Sequence, residues 1–366
     1  MKQTTIFTNR LEQDLTMSMA ECAHDGVFIL TDVGTEKYCL PMIKDFLCLK
    51  NAKLITIKQG EDSKTLPTAT AIWETLSQNG ASRHALLINL GGGMVSDIGG
   101  FAASTFKRGI NFINIPTTLL AMVDASVGGK TGINMGKFKN EIGTFAEAKA
   151  VIIDTNILKT LPFDQLLSGY AEMIKHSLLD NVSHWADIMN FYNDDSISPE
   201  MVKKNNGMEG LGIDYKQLQN LVARSVAVKQ RYVSQDPYDR GLRRSLNLGH
   251  TIGHALESWC FDAGSPVPHG CAVAYGLVCA LYISCAMVNF PTDKMRQTVQ
   301  FINSYYGRPP ITCDDYADLI RLMKHDKKNK GDNILFTLLS DIGKPEINQI
   351  VDEKMIEESL DFLREG

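Results

Sequence analysis

The segment from Ala85 to Asp97 reads ALLINLGGGMVSD, a short apolar run that ends in three consecutive glycines. A strand buried in a parallel sheet has this continuous apolar composition. A glycine-rich turn between such a strand and a helix lets the backbone approach the pyrophosphate of a dinucleotide. The turn matches the pattern G-x-G-x-x-G imperfectly, because Ser96 occupies the third glycine position. Tight strand-to-helix turns also use glycine for purely structural reasons, so the segment predicts an α/β domain and leaves the nucleotide site open.

Similar apolar runs, separated by helical patterns, flank this segment and indicate a parallel α/β sheet. The predicted strands are Val27–Thr31, Leu54–Lys58, Ala85–Leu90, Ile110–Ile115 and Val151–Ile153, with a helix at Thr65–Leu76. From about Leu161 the pattern becomes helical: Phe163–Leu179, Tyr215–Ser234, Leu248–Cys260 and Cys271–Val288, with one late strand at Leu335–Leu339. Because 366 residues exceed one usual domain, we expect two. We predict an α/β domain over residues 1–160 and a mainly α-helical domain over residues 161–366.

Charge and composition restrict the partners. Lys and Arg total 37 against 42 Asp and Glu, so the net charge is −5, and a general nucleic-acid binder, which needs a basic face, is disfavoured. Eight cysteines without a C-x-x-C pair, and no evident secretory leader, indicate reduced thiols and a cytoplasmic protein. The stretch Gly270–Pro291 carries no charge and is long enough to span a bilayer, but its small, mixed residues favour a buried core helix over a membrane span.

A second motif, NLGHTIGH at residues 247–254, places His250 and His254 four residues apart and therefore on one helical face. His269 begins the uncharged stretch, and Glu172 stands among apolar neighbours. A carboxylate with two or three imidazoles matches a catalytic zinc site. The alternative is that the histidines only pack in the core and that Glu172 forms a salt bridge with Lys175. Spacing alone does not decide between these interpretations.

Taken together, the motifs resemble the 3-dehydroquinate synthase family. The ordered matches are residues 91–97, 101–105, 108–109, 116–124, 127–132, 139–143, 169–175, 241–243, 247–254, 269–270 and 326–328. The resemblance implies a carbon–oxygen lyase of the shikimate pathway that converts 3-deoxy-D-arabino-heptulosonate 7-phosphate to 3-dehydroquinate and phosphate. It implies transient oxidation by bound NAD, β-elimination of phosphate, reduction and intramolecular aldol closure. It also implies a divalent metal ion, zinc or cobalt, and a homodimer. For the two domains, it implies a Rossmann-like dinucleotide-binding domain over residues 1–160 and a helical metal- and substrate-binding domain over residues 161–366.

The resemblance also assigns residues to roles. The implied metal ligands are Glu172, His250 and His269. The implied NAD contacts are Asp32, Glu61, Lys64, Gly92, Gly93, Met94, Asp97, Thr117, Thr118, Lys139 and Thr160. The implied catalytic residues are Lys130, Asn140, Lys175, Lys229, Arg243, Asn247 and His254, and further substrate contacts come from Arg108, Asp124 and either Lys327 or Lys328.

Three positions depart from the family pattern. Phe138 and Ser96 replace glycines, and Asp239 stands where the family has the longer glutamate.

Three other functions remain open from the sequence. A related sugar-phosphate cyclase would accept a sedoheptulose or hexose phosphate, but Asn247 and the Lys229/Arg243 pair favour dehydroquinate synthase. A metal-dependent polyol dehydrogenase of similar architecture would produce net NADH. A binding protein without catalysis is disfavoured, because metal, NAD and anion sites would then serve no purpose.

Overall fold

The computed structural model describes residues 3–136, 138–191, 213–324 and 333–366. These residues divide into two units. The first contains the described residues up to Pro162 together with Ile213–Ala223, and the second contains the other described residues.

The first unit is built on a six-stranded sheet. Its strands are β1 (Thr4–Phe7), β2 (Val27–Asp32), β3 (Lys53–Ile57), β4 (Leu86–Gly91), β5 (Asn111–Pro116) and β8 (Ala150–Ile153). They lie in the order β1-β8-β5-β4-β2-β3, and every neighbouring pair is parallel. The central strand β4 is buried along its whole length, as its uninterrupted apolar sequence predicts. The α/β fold class expected for this half of the chain is confirmed.

Four α-helices connect these strands: α1 (Leu11–Ala20), α2 (Val33–Tyr38), α3 (Leu66–Gln78) and α4 (Gly93–Thr105). A separate antiparallel hairpin consists of β6 (Lys130–Met135) and β7 (Phe138–Phe145). The sequence pattern does not predict this hairpin, because β7 is largely exposed and mixes charged with apolar residues and so carries no continuous apolar signal.

The second unit is mainly helical, as expected. Its helices are α5 (Phe163–Leu178), α6 (Val182–Asn190), α8 (His250–Asp262), α9 (His269–Val288), α10 (Thr292–Tyr306), α11 (Tyr316–Lys324) and α12 (Glu353–Glu365). Helix α7 (Tyr215–Gln235) begins in the first unit and ends in the second. The predicted late strand is present as β9 (Leu335–Asp341). It pairs with a second strand, β10 (Lys344–Ile350), which the sequence pattern does not predict because polar residues and a proline interrupt its apolar residues.

Helix α9 is the uncharged stretch singled out in the sequence. It is long and apolar enough to cross a membrane, and 72% of its most apolar window is buried within the protein. Buried residues occupy all sides of its first three turns. This burial is what a core helix shows, and it explains the lack of charge without a bilayer.

Candidate functional site

Several of the predicted NAD residues of the first unit lie at one edge of its sheet. Asp32 ends β2, Gly92 follows β4, and Thr117 follows β5, which are three neighbouring strands. The Thr117 amide donates to the carbonyl of Gly91 at 2.9 Å, so the two turns touch directly. Open parallel sheets bind ligands at the carboxyl ends of their strands, and this edge is therefore the expected position for a nucleotide.

Helix α4 begins at this edge without a capping side chain. Its N-cap residue is Gly92, and no side chain caps the first turn. The first N–H groups of a helix lack partners within the helix, and the helix dipole favours an anion at this end. The pyrophosphate of a dinucleotide fits this position, since its oxygens supply both the acceptors and the negative charge.

Asp32 accepts local hydrogen bonds that fix the orientation of its side chain. Its Oδ1 accepts the amides of Gly34 at 2.8 Å and Thr35 at 2.9 Å, which forms a capping box at the start of α2. The side chain is thereby held in one orientation beside the nucleotide edge. A fixed carboxylate of this kind suits a ribose hydroxyl.

Lys64 is the most deeply buried of the predicted NAD residues, and only 2% of it is exposed. Its Nζ lies 2.5 Å from Asp97 Oδ2 and also contacts Asn140 Oδ1. Burial alone would lower the pKa of Lys64, but the carboxylates of Asp97 and Glu61 outweigh it and raise the pKa above its usual value. Lys64 therefore stays charged and ties the nucleotide helix to the hairpin.

The remaining predicted residues of this unit are spread more widely. Thr118 and Asp124 follow β5, Lys130 begins β6, Lys139 lies in β7, and Thr160 ends the 3-10 helix after β8. Arg108 ends a 3-10 helix three residues before β5, so it lies on the amino-terminal side of that strand and is not brought to the nucleotide edge. Its role stays a prediction.

The second unit brings three histidines together. The ligand atoms of His250, His254 and His269 all lie within 4.8 Å of one another, although the residues come from two different helices. Ring centroids are 5.1 Å apart for His250 and His254, and 5.6 Å apart for His250 and His269. We call these residues the histidine cluster.

Two glycines of α9 set the spacing of this cluster. A Cβ on Gly270 would lie 1.8 Å from the Ser168 carbonyl oxygen of α5, and one on Gly276 would lie 1.9 Å from the Gly249 carbonyl oxygen. Only glycine permits backbones to approach this closely. Since His269 precedes Gly270, the first contact places His269 against α5. Since His250 follows Gly249, the second contact packs α9 against the start of α8, where His250 lies.

Glu172 completes the arrangement from α5. Its Oε1 lies 3.5 Å from His250 Nε2 and 3.7 Å from His269 Nε2, and its other oxygen forms an ion pair with Lys175. The carboxylate is fully buried, and within the described part of the chain Oε1 receives no hydrogen bond. A buried acceptor facing two imidazole nitrogens fits a divalent metal ion, whose charge would satisfy all three groups. The salt bridge considered as the alternative is present as well, on the other carboxylate oxygen.

The other ring nitrogens have partners that orient the imidazoles. His250 Nδ1 lies 3.2 Å from the Leu248 carbonyl oxygen, and His269 Nδ1 lies 3.0 Å from Glu257 Oε2. If each Nδ1 carries the proton, each Nε2 presents a lone pair towards Glu172. Glu257 is not among the residues predicted from the sequence, although it stands three residues after His254 and so lies on the same face of α8.

We predict that Glu257→Ala weakens zinc binding about 10–100-fold, because it removes the carboxylate that orients His269 and raises its basicity. Glu257→Gln keeps an acceptor oxygen and should recover part of the loss. Asp262→Asn, at the end of the same helix, controls for the change in charge. Competition with a chromogenic chelator measures each affinity, and equal affinities for Glu257→Ala and the parent would exclude this role.

The predicted anion-binding residues of this unit are largely buried. Arg243 is 4% exposed and Lys229 is 6% exposed. Arg243 donates to the Pro237 carbonyl oxygen at 2.8 Å, and Asp236 accepts the backbone amides of Arg240, Gly241 and Arg243. These amides hold the pKa of Asp236 below its usual value, so its carboxylate stays ionised and organises the loop that carries Arg243. Asn247 ends the 3-10 helix that follows, whereas Lys327 and Lys328 lie outside the described residues.

Comparison with known proteins covers the whole chain. The model of the 3-dehydroquinate synthase N-terminal family matches residues 54–168, and that of the C-terminal family matches residues 169–329. A 3-dehydroquinate synthase of Parabacteroides distasonis is 45% identical over 365 residues, which is 100% of this chain and 99% of that protein.

Solved structures show the same fold at lower identity. A 2-deoxy-scyllo-inosose synthase complexed with carbaglucose-6-phosphate, NAD⁺ and Co²⁺ is 24% identical, with a TM-score of 0.80 over 97% of this chain and 95% of that one. A 2-epi-5-epi-valiolone synthase from Streptomyces hygroscopicus with NAD⁺ and Zn²⁺ bound is 22% identical, with a TM-score of 0.83 over 100% of this chain and 97% of that one.

Proposed function

The chain belongs to the 3-dehydroquinate synthase family, and we propose that it converts 3-deoxy-D-arabino-heptulosonate 7-phosphate to 3-dehydroquinate and phosphate, with NAD held by its first unit and a divalent metal ion by its second. The observation that carries this proposal is the buried Glu172 Oε1, which faces the Nε2 atoms of His250 and His269 at 3.5 and 3.7 Å. The enzyme is thus a phosphate-eliminating lyase of the shikimate pathway.

The two bound groups supply the chemistry that side chains lack. When bound, NAD takes a hydride from a substrate carbinol and later returns it, while the metal ion lowers the pKa of the substrate hydroxyls it binds. Structures of the same fold contain NAD⁺ with Co²⁺ or Zn²⁺, which supports both assignments. The proposed metal is zinc or cobalt, held by Glu172, His250 and His269.

The residues at the nucleotide edge bind and orient NAD. We assign the pyrophosphate to the first turn of α4, at Gly92, Gly93 and Met94, and a ribose hydroxyl to Asp32. Glu61, Thr117, Thr118, Lys139 and Thr160 complete the assigned set, and the Lys64–Asp97 pair keeps this surface rigid. Such preorganisation lowers the entropic cost of bringing NAD and the substrate into the reactive geometry.

The buried cations orient the anionic substrate. A desolvated charge attracts an anion more strongly than a solvated one, because less water screens the interaction. Arg243 offers a planar fork that can bind a carboxylate or phosphate through two hydrogen bonds, while Lys175 and Lys229 act as point charges. Lys130, Asn140, Asp124, Asn247 and His254 are the proposed polar contacts, and the departing phosphate itself accepts a proton.

We further propose that the enzyme is a cytoplasmic homodimer with no nucleic-acid or membrane partner. In this proposal residues 1–160 bind NAD, and residues 161–366 bind the metal ion and the substrate. The net charge of −5 and the burial of helix α9 support the statements on partners. The homodimer rests on membership of the family.

A phosphate-release assay with the heptulosonate phosphate, run together with NADH absorbance, tests the proposed function. Stoichiometric phosphate and 3-dehydroquinate without accumulating NADH is the expected result. Net NADH from a polyol would indicate a dehydrogenase. Phosphate release from a sedoheptulose or hexose phosphate, and none from the heptulosonate, would indicate another cyclase.

We predict that Arg243→Lys lowers kcat/KM at least about tenfold while metal and NAD⁺ still bind. Lysine keeps the charge but loses the planar fork, and a charge-assisted hydrogen bond contributes roughly 1.5–3 kcal/mol. Steady-state kinetics with metal analysis and NAD⁺ titration measure the change. The exposed Arg321, which pairs with Asp318 on α11, provides a matched control as Arg321→Lys. Parent-like kinetics for Arg243→Lys would show that this side chain does not hold the substrate.

A further inference from the structure

The hairpin of the first unit is irregular at Asn134. Ile133 pairs with Ile142, and Met135 pairs with Phe138, so the single residue Asn134 stands opposite the three residues 139–141. Such bulges turn side chains out of the regular strand pattern and recur next to active sites. Here the irregularity separates Asn134 and Asn140 from the antiparallel ladder.

Three groups of Asn134 bind three different residues. Its backbone N–H donates to the Lys64 carbonyl oxygen at 2.8 Å, and its Nδ2 donates to Glu61 Oε1 at 2.9 Å. Its Oδ1 accepts the backbone N–H of Asn140 at 2.9 Å. Asn134 therefore joins the segment after β3 to the strand that carries Asn140.

Asn140 needs this support because its backbone is in an uncommon conformation. Its φ is +53°, in the left-handed region where asparagine is tolerated but rarely placed without local hydrogen bonds. Lys64 contacts the Asn140 side chain, and the Asn134 side chain accepts the backbone N–H of Asn140. Both the backbone and the side chain of Asn140 are thereby tied to residues 61–64.

We propose that Asn134 is a positioning residue that holds Glu61 and Asn140 in one fixed arrangement. It thereby links NAD binding to the placement of the Asn140 side chain, which contacts the substrate. The proposal rests on the roles assigned above to Glu61 in NAD binding and to Asn140 in substrate binding. Asn134 acts through both residues and contacts neither ligand itself. An asparagine is needed because the position requires a side-chain donor for one partner and an acceptor for the other.

Replacement of Asn134 separates positioning from simple hairpin stability. Asn134→Ala should raise the dissociation constant for NAD⁺, measured calorimetrically without substrate, by about tenfold, the scale of one hydrogen bond to a charged group. It should lower kcat by roughly 2–10-fold, the scale of one neutral hydrogen bond. Met135→Ala removes a half-exposed neighbour on the same strand and should change neither quantity. Equal thermal unfolding midpoints for the two variants would exclude loss of fold as the cause.

A conservative variant distinguishes the contact with Glu61 from the contact with Asn140. Asn134→Asp keeps an acceptor for the Asn140 backbone N–H but places a carboxylate beside that of Glu61. We expect NAD⁺ affinity to fall while kcat stays closer to the parent value. A parent-like NAD⁺ affinity in both Asn134 variants would overturn the proposal.

Double variants test whether Asn134 acts through its partners. Adding Asn134→Ala to Glu61→Ala should weaken NAD⁺ binding no further, and adding it to Asn140→Ala should lower kcat no further, because residues in one network are not additive. Fully additive losses would refute the positioning role while leaving the proposed function intact. If Glu61→Ala and Asn140→Ala themselves behave like the parent, the residue assignments of the proposed function are wrong, and the inference is overturned with them.

Discussion

His250→Ala is expected to purify with little or no metal and to lose phosphate release. The substitution removes one of the two imidazoles that face Glu172 Oε1. Because loss of a residue that merely orients a ligand already costs about 10–100-fold in metal affinity, loss of the ligand itself should cost more than about 100-fold. Metal per protomer and the rate of phosphate release are the two measurements.

Two further histidine variants make this result specific. His254→Ala removes the third member of the histidine cluster, which is assigned to substrate, so it should keep its metal and lose activity. His84→Ala alters an exposed histidine of the first unit and should match the parent in both measurements. Stoichiometric metal in purified His250→Ala would show that the ligand set is wrong.

Gly276→Ala is expected to destabilise the second unit and to weaken metal binding. In an ordinary helix this change stabilises by about 1 kcal/mol, because alanine is the better helix former. Here the added Cβ would lie 1.9 Å from the Gly249 carbonyl oxygen, which belongs to backbone and cannot swing away. Overpacking of this kind costs about 1–3 kcal/mol, occasionally more, so the steric effect should exceed the helix preference.

Chemical denaturation and metal titration measure this outcome, and the sign alone decides it. Gly26→Ala serves as the control, since its Cβ would meet only Phe28 Cε2 at an ordinary 3.7 Å. We expect Gly276→Ala to lower both the free energy of unfolding and the affinity for zinc. A more stable variant with unchanged zinc affinity would show that α8 and α9 do not depend on this close approach.

The sequence predicts the buried part of the fold well and the exposed part poorly. Strand β4 and helix α9 are continuous apolar runs, and burial requires such runs, so both were found from composition. β7 and β10 are stabilised by pairing across a hairpin, which leaves one face in solvent and needs no continuous apolar stretch. The start of α8 was placed two residues early, because the left-handed backbone of Gly249 (φ +77°) delays the helix until His250.

The site divides in a similar way. The spacing of His250 and His254 identifies one helical face, but their meeting with His269 and Glu172 depends on the glycine contacts of α9, which no local pattern reveals. Glu257 could have been found from its place on the same face as His254. Asn134 could not, since its importance comes from an irregular hairpin that joins distant parts of the chain.

The proposed metal ligands come from three helices, and Glu172 and His269 are almost 100 residues apart in the sequence. An ion held by them would act as a reversible cross-link that only the folded chain can form. By mass action, an ion present at 100 times its dissociation constant adds about 2.7 kcal/mol to the stability of the folded state. We therefore expect the thermal midpoint of the second unit to rise with the free metal concentration, so that metal scarcity would reduce the amount of folded enzyme as well as catalytic turnover.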